Sequence, residues 1–225
     1  LKNSGFIRFN YSGKQSPTST GVIFVIAASL AIIITAVLNK ILLSKIQTNF
    51  PCLILALSSS FVGFLDDIHK TCVSKGFKGH LKALLEEGII TTGVIKGVII
   101  WLTGVLSIIL SGNDYTLEVI LLNATLIGLG ANFTNLLDLR PGRALKVFFV
   151  IFSILILYDP LSANKSVPFA LCLASFPGLQ GELNEEYMMG DAGANPLGAT
   201  LAYWIAIDFP ISIRLFVFLI LLGVH

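Results

Sequence analysis

Long apolar runs separated by short polar breaks set the pattern of this chain. The runs cover about residues 20–38, 50–65, 88–111, 117–131, 145–158, 167–178, 192–207 and 210–224. Read as helices, they predict an all-α fold, a polytopic integral membrane bundle of about eight transmembrane helices. A straight span needs around 20 residues. Several runs are shorter, so the count holds to within one or two, and helix ends extend into polar flanks or break near them. Extended polar stretches occur only at the start and at about residues 66–87. No internal repeat or low-complexity segment stands out, so residues 1–225 read as one membrane domain.

Composition agrees with this pattern. Charged residues make up 12% of the chain and hydrophobic ones 55%, with a mean hydropathy of +0.85. An ordinary soluble domain carries roughly twice that charged fraction. The formal net charge of +2 is too small to argue for nucleic acid. Cys52, Cys72 and Cys172 show neither disulfide-framework nor zinc spacing and read as packing residues. Leu1 opens no charged-then-apolar signal pattern, and the last apolar run is interrupted at His225. Both ends are expected to be cut. The sequons at Asn123, Asn132 and Asn164 are treated as chance.

Charge distribution fixes a threading. With residues 1–19 inside, the inner segments hold Lys2, Arg8, Lys14, Lys70, Lys75, Lys78, Lys82, Arg140, Arg143 and Lys146. The outer segments hold Lys40, Lys45, Lys165 and Arg214, while Lys96 falls within a span. Ten against four is the bias that the positive-inside rule expects. On this threading residues 66–87, 132–146 and 179–191 all face the cytoplasm, and an error of one span would separate them.

Four polar clusters then gather at one interface. Charge in an apolar chain is expensive and is kept for function or for an ion partner. Asp66 and Asp67 end one run just before Lys70. Adjacent carboxylates repel, and a divalent cation, a lysine or a raised pKa relieves them. The plain alternative is a solvated helix end. Asn132, Asn135 and Asp138 recur every third residue, drifting by about 60° per step, so they share a helix face. Such a stripe grips a sugar, a nucleotide or metal-bound water, or else bonds another helix. It leads into Arg140-Pro141-Gly142-Arg143, where two arginines suit phosphate oxygens or anchor the inner surface. Asp191, between Gly190 and Gly193, begins the next run as a metal-phosphate ligand or as a helix cap. Lys14 and Lys82 stand in polar flanks whose charge is solvated or meets lipid head groups. His69 and His80 lack repeated ligand spacing.

Taken in order, the motifs Gly63-Phe-Leu-Asp66-Asp67-Ile-His-Lys70, Asn132-x-x-Asn135-x-x-Asp138 and Met189-Gly190-Asp191-Ala-Gly193 resemble the polyprenyl-phosphate N-acetylhexosamine-1-phosphate transferases. Pro17-Thr-Ser-Thr-Gly21 echoes an early Pro-Thr-x-Gly-Gly loop of that superfamily. The resemblance covers nearly the whole chain. It implies a site on the cytoplasmic face of a cell membrane, in a bacterial setting, joining a polyprenyl phosphate to the sugar-1-phosphate of a UDP-sugar. The products are a polyprenyl diphosphate-sugar and UMP, made with Mg²⁺ in cell-wall or surface-glycan synthesis. It makes Asp191 the Mg²⁺ ligand. Asp66 and Asp67 become the pair that deprotonates or positions the lipid phosphate. Lys70 and Lys82 fall near the phosphates, and Asn135 and Asp138 line the site. Asp138 is thereby expected among the catalytic residues; Lys14, Asn132, Arg140 and Arg143 are expected among those binding substrate. Homodimerisation is allowed.

Two departures stand out. Many members continue the asparagine motif as Asp-Gly-x-Asp-Gly, whereas here Asp138-Leu-Arg140-Pro141-Gly142 places a proline where the second Asp falls. That leaves nucleotide and sugar specificity open. The late histidine-rich loop of the family does not fall within residues 1–225. Two competing classes remain: another Asp-dependent membrane transferase, and a non-enzymatic transporter or lipid-binding scaffold. A transporter predicts polar residues near mid-membrane or paired broken helices, and a CDP-alcohol phosphotransferase needs an Asp-Gly-x-x-Ala-Arg motif that the chain lacks.

Overall fold

A computed structural model of the chain describes residues 7–9, 12–42, 46–69 and 91–225. Each of the eight apolar runs contains a helix: α1 (Gly21–Leu42), α2 (Phe50–His69), α3 (Thr92–Leu110), α4 (Leu117–Leu137), α5 (Arg143–Tyr158), α6 (Ser166–Ser175), α8 (Asp191–Asp208) and α9 (Ile211–Val224). A short α7 (Leu179–Leu183) continues α6 through a 3₁₀ turn at Phe176–Gly178, where Pro177 removes a backbone donor. The polar start adds what the apolar pattern does not predict. There β1 (Ile7–Phe9) pairs antiparallel with β2 (Gln15–Pro17), Arg8 lying opposite Ser16.

The expectation of about eight spanning helices needs correction. Among the described residues four helices, α1 to α4, are long and apolar enough to cross a membrane, and α9 is a shorter apolar helix. The 16 residues of α5 give a rod of about 24 Å and the 10 of α6 one of about 15 Å, against a hydrocarbon core of about 30 Å. Apolar run length therefore overcounts spans: part of the apolar sequence is packed inside the protein.

That interior is α8. Every residue from Asp191 to Ala206 is buried, so α8 has no solvent or lipid face, as expected for a helix surrounded by others. It packs against α1, α2, α4, α5 and α6. Small residues permit this. A Cβ on Gly63 would strike the Asp191 carbonyl, and one on Gly198 would strike the backbone of Gly130. Trp204 and Tyr203 are the largest fully buried side chains, with Phe152 tilted against Trp204 at 6.1 Å.

The outside is inverted relative to a soluble bundle. On α3 the exposed side chains Ile95, Val98, Leu102, Leu106 and Ile109 recur every three or four residues, forming an apolar outward stripe where a soluble helix would be polar. On α1, Ile23, Ile26, Leu30, Ile33 and Val37 do the same. The helices run up and down. The end of α2, the starts of α1 and α3, the end of α4 and the start of α8 meet at one pole, joined by hydrogen bonds described below. At the other pole Asn164 Nδ2 donates to Asp208 Oδ1 at 2.6 Å, and the Asn49 backbone N–H donates to Ser166 Oγ at 3.1 Å.

Candidate functional site

The last turn of α2 carries two carboxylates into the protein, Asp66 and Asp67 being 6% and 2% exposed. They do different work. Asp67 reaches the start of α8: its Oδ1 accepts from the Asp191 backbone N–H and its Oδ2 from that of Ala192, both at 3.2 Å. Ser19 Oγ donates to the same Oδ2 at 3.0 Å. A carboxylate at a helix N-terminus satisfies orphan N–H groups and meets the positive end of the dipole. Asp67 is thus a cap supplied by another helix, and it places Asp191. Gly190 makes room for it at φ 72° and ψ 179°, and a Cβ there would lie 2.5 Å from Asp67 Oδ2. Such a backbone is essentially confined to glycine.

Asp66 instead faces Lys96, a half-buried residue in the apolar sequence of α3. Lys96 Nζ lies 3.0 Å from Asp66 Oδ2 and 2.5 Å from Asp191 Oδ2. Asn135, from the last turn of α4, completes the group. With its amide oriented to satisfy both ends, Nδ2 donates to Asp191 Oδ1 at 2.8 Å and Oδ1 accepts from Lys96 Nζ at 3.1 Å. One ammonium and one amide therefore join α2, α3, α4 and α8.

Asp138 follows α4 and accepts from the Gly190 N–H at 3.0 Å. Burial pushes its carboxyl well above the ordinary carboxylate range; Glu182, Asp191 and Asp67 add to the rise, and the Gly190 N–H opposes it. Glu182 of α7 is 2% exposed. Its two oxygens accept from the Met189 N–H at 2.8 Å and the Gly142 N–H at 3.2 Å, tying the Arg-Pro-Gly turn to the loop before Asp191. Burial raises its pKa as well, against those two hydrogen bonds.

Sequence expectation and structure meet unevenly. Asp66, Asp67, Asn135, Asp138 and Asp191 converge, as the stripe and the threading predict. Asn132 is half-buried and makes no side-chain hydrogen bond among the described residues. Arg140 is exposed and lines a shallow cleft with Asp138, Pro141, Glu182, Tyr187 and Met188. Arg143, in the first turn of α5, and Lys14, in the hairpin turn, are exposed. Lys70 and Lys82 lie outside the described residues. Three residues were not predicted. Lys96 carries the clearest signal, a charge inside an apolar run. Ser19 and Glu182 sit in polar stretches and carry none.

A metal fits part of this donor set. Among the described residues no three His, Cys, Asp or Glu side chains form a group able to hold an ion. Mg²⁺ is commonly held by one or two carboxylates together with phosphates of its ligand, and Asp191 and Asn135 offer the hard oxygens for that. Lys96 Nζ, seated between Asp66 and Asp191, marks the spot as one that favours positive charge. In comparisons with known proteins, no protein-family model, curated protein or solved structure matches the chain.

Proposed function

We propose that this chain is a membrane transferase that moves a sugar-1-phosphate, of N-acetylhexosamine type, from a UDP-sugar to a polyprenyl phosphate. The products are a polyprenyl diphosphate-sugar and UMP. Support comes from one observation: Asp66, Lys96, Asn135, Asp138 and Asp191 meet at one pole of an apolar helix bundle. That pole is where a lipid phosphate and a water-soluble nucleotide donor can meet. The proposed setting is the cytoplasmic face of a bacterial cell membrane, with the arginines of the 140–143 turn facing the donor phosphates.

The chemistry asks little covalent work of the protein. An oxygen of the lipid phosphate attacks the phosphorus attached to the sugar, and the bond to UMP breaks. Catalysis is then positioning plus charge stabilisation. Mg²⁺, held by Asp191 and Asn135, would supply positive charge at the diphosphate. Asp66 orients the lipid phosphate and accepts its proton where it arrives protonated. Asp67 acts one step back by fixing the first turn of α8.

The same geometry favours one rival. Each of the four aspartates already bonds within the protein, as in a network that serves only to join helices, so a lipid-binding scaffold is the second reading. Purified protein in detergent with undecaprenyl phosphate, Mg²⁺ and a panel of UDP-sugars separates them. UMP release from one sugar, lost in Asp191→Asn and lowered in Asp67→Asn, is the expected result. Release that survives in Asp191→Asn overturns the assignment of Asp191. No release from any sugar favours the scaffold.

A further inference from the structure

Lys96 is where the structure departs from what the motifs alone imply. The resemblance leaves Asp191 open to a metal, yet an ammonium from α3 lies 2.5 Å from its Oδ2 and holds Asp66 with the same atom. The lysine reaches this point from an apolar helix flanked by Ile95 and Ile99, and its side chain is 12% exposed. Placing an ammonium there costs solvation, which the two carboxylates and the Asn135 oxygen offset. A divalent cation on Asp191 would sit against that ammonium, and like charges at such a distance repel strongly in a low-dielectric site.

We infer that Lys96 is a tethered cation that competes with a divalent metal for Asp191. The inference rests on the reading of Asp191 as a metal ligand. With no diphosphate present, the ammonium keeps the two acidic helices together. Metal arriving with a diphosphate brings its own negative charge, which offsets the repulsion and gives the displaced ammonium a phosphate oxygen to pair with. Lys96 thereby sets which metal species the site accepts: a metal–diphosphate complex rather than the bare ion.

Mn²⁺ titration of the detergent-solubilised protein, followed by the electron paramagnetic resonance signal of free Mn²⁺, tests this without any turnover. Removing one charge from a partly buried cluster should tighten binding of the bare ion in Lys96→Gln by about tenfold or more. Lys96→Arg, which keeps the charge, should match the parent protein. Adding Asp191→Asn to Lys96→Gln should abolish the gain. If the facing carboxylates in Lys96→Gln disturb folding, the double variant Lys96→Gln/Asp66→Asn carries the comparison, measured against Asp66→Asn alone so that only the positive charge differs. Equal or weaker Mn²⁺ binding in the folded variant overturns the inference, as does tight binding of the bare ion by the parent protein that Asp191→Asn abolishes. Failure of UMP release alongside a gain in Mn²⁺ affinity would count against the transferase reading alone.

Discussion

At the scale of single residues, the carboxylates divide into those that hold backbone and those that face a cation. Glu182 belongs to the first kind. Each of its oxygens accepts one N–H, from Met189 and from Gly142. A glutamine offers one acceptor and turns a donor toward the other N–H, leaving a buried group unsatisfied. Glu182→Gln should therefore cost about 1–3 kcal/mol, read as a lower thermal midpoint in detergent; an unchanged midpoint would remove Glu182 from the architecture of the site. Asp138 makes a prediction in pH. Its folded pKa is raised from the ordinary 3.8, so the folded state favours the protonated form. The stability this gives is fully present below that value and is lost as pH rises through the raised one. With metal chelated, the parent protein should lose stability relative to Asp138→Asn as pH rises above 3.8. Parallel melting curves would show that Asp138 ionises as easily folded as unfolded. The aspartates themselves were legible in the sequence because charge is rare in an apolar chain. The division of labour between Asp66 and Asp67 was not, because it depends on which helix each oxygen meets.

At the scale of elements, the apolar runs locate the long helices among the described residues, and what they leave undecided is depth. The stripe on α3 from Ile95 to Ile109 and the run inside α8 are both apolar, yet one faces outward and the other is enclosed on every side. Small residues distinguish them. Gly193 and Gly198 of α8 meet Gly21 and Gly130 backbone to backbone, which lets helices approach closely in the manner of membrane interfaces. The hairpin of β1 and β2 had no signal, since three-residue strands carry no readable period. Glycine contacts give a paired test. Gly198→Ala puts a methyl into the Gly130 backbone and should destabilise the fold by several kcal/mol or prevent α4 and α8 from seating. Gly97→Ala meets nothing within 4 Å and should be neutral or stabilising by up to about 1 kcal/mol. Thermal melting of the two variants side by side decides it: equal effects would mean that the crossing of α4 and α8 is not the tight contact described.

At the scale of the whole molecule, sidedness connects the fold to the chemistry. The threading by lysine and arginine requires residues 132–146 and 179–191 to share a surface, and the structure brings them together through Glu182 and Asp138. It reaches this with four helices among the described residues that qualify as spans rather than eight, so the shared pole does not depend on the span count that predicted it. The physical reason is parity: each long helix reverses direction, so the ends of α2 and α4 and the starts of α5 and α8 fall at the same pole. Leu139 and Asn184 are exposed at the site pole, and Asn113 is exposed beyond the far end of α4. In a background with Cys52, Cys72 and Cys172 replaced by serine, a membrane-impermeant maleimide should label Leu139→Cys and Asn184→Cys from one side of sealed vesicles and Asn113→Cys from the other. On the proposed orientation, with the basic residues around the site facing the cytoplasm, the first two should react in inverted vesicles. Labelling of Leu139→Cys and Asn113→Cys from the same side would mean that α4 does not cross. The carboxylate cluster would then be neither at a membrane interface nor within reach of a lipid phosphate, and the transferase reading would lose its physical basis even with every hydrogen bond of the site in place.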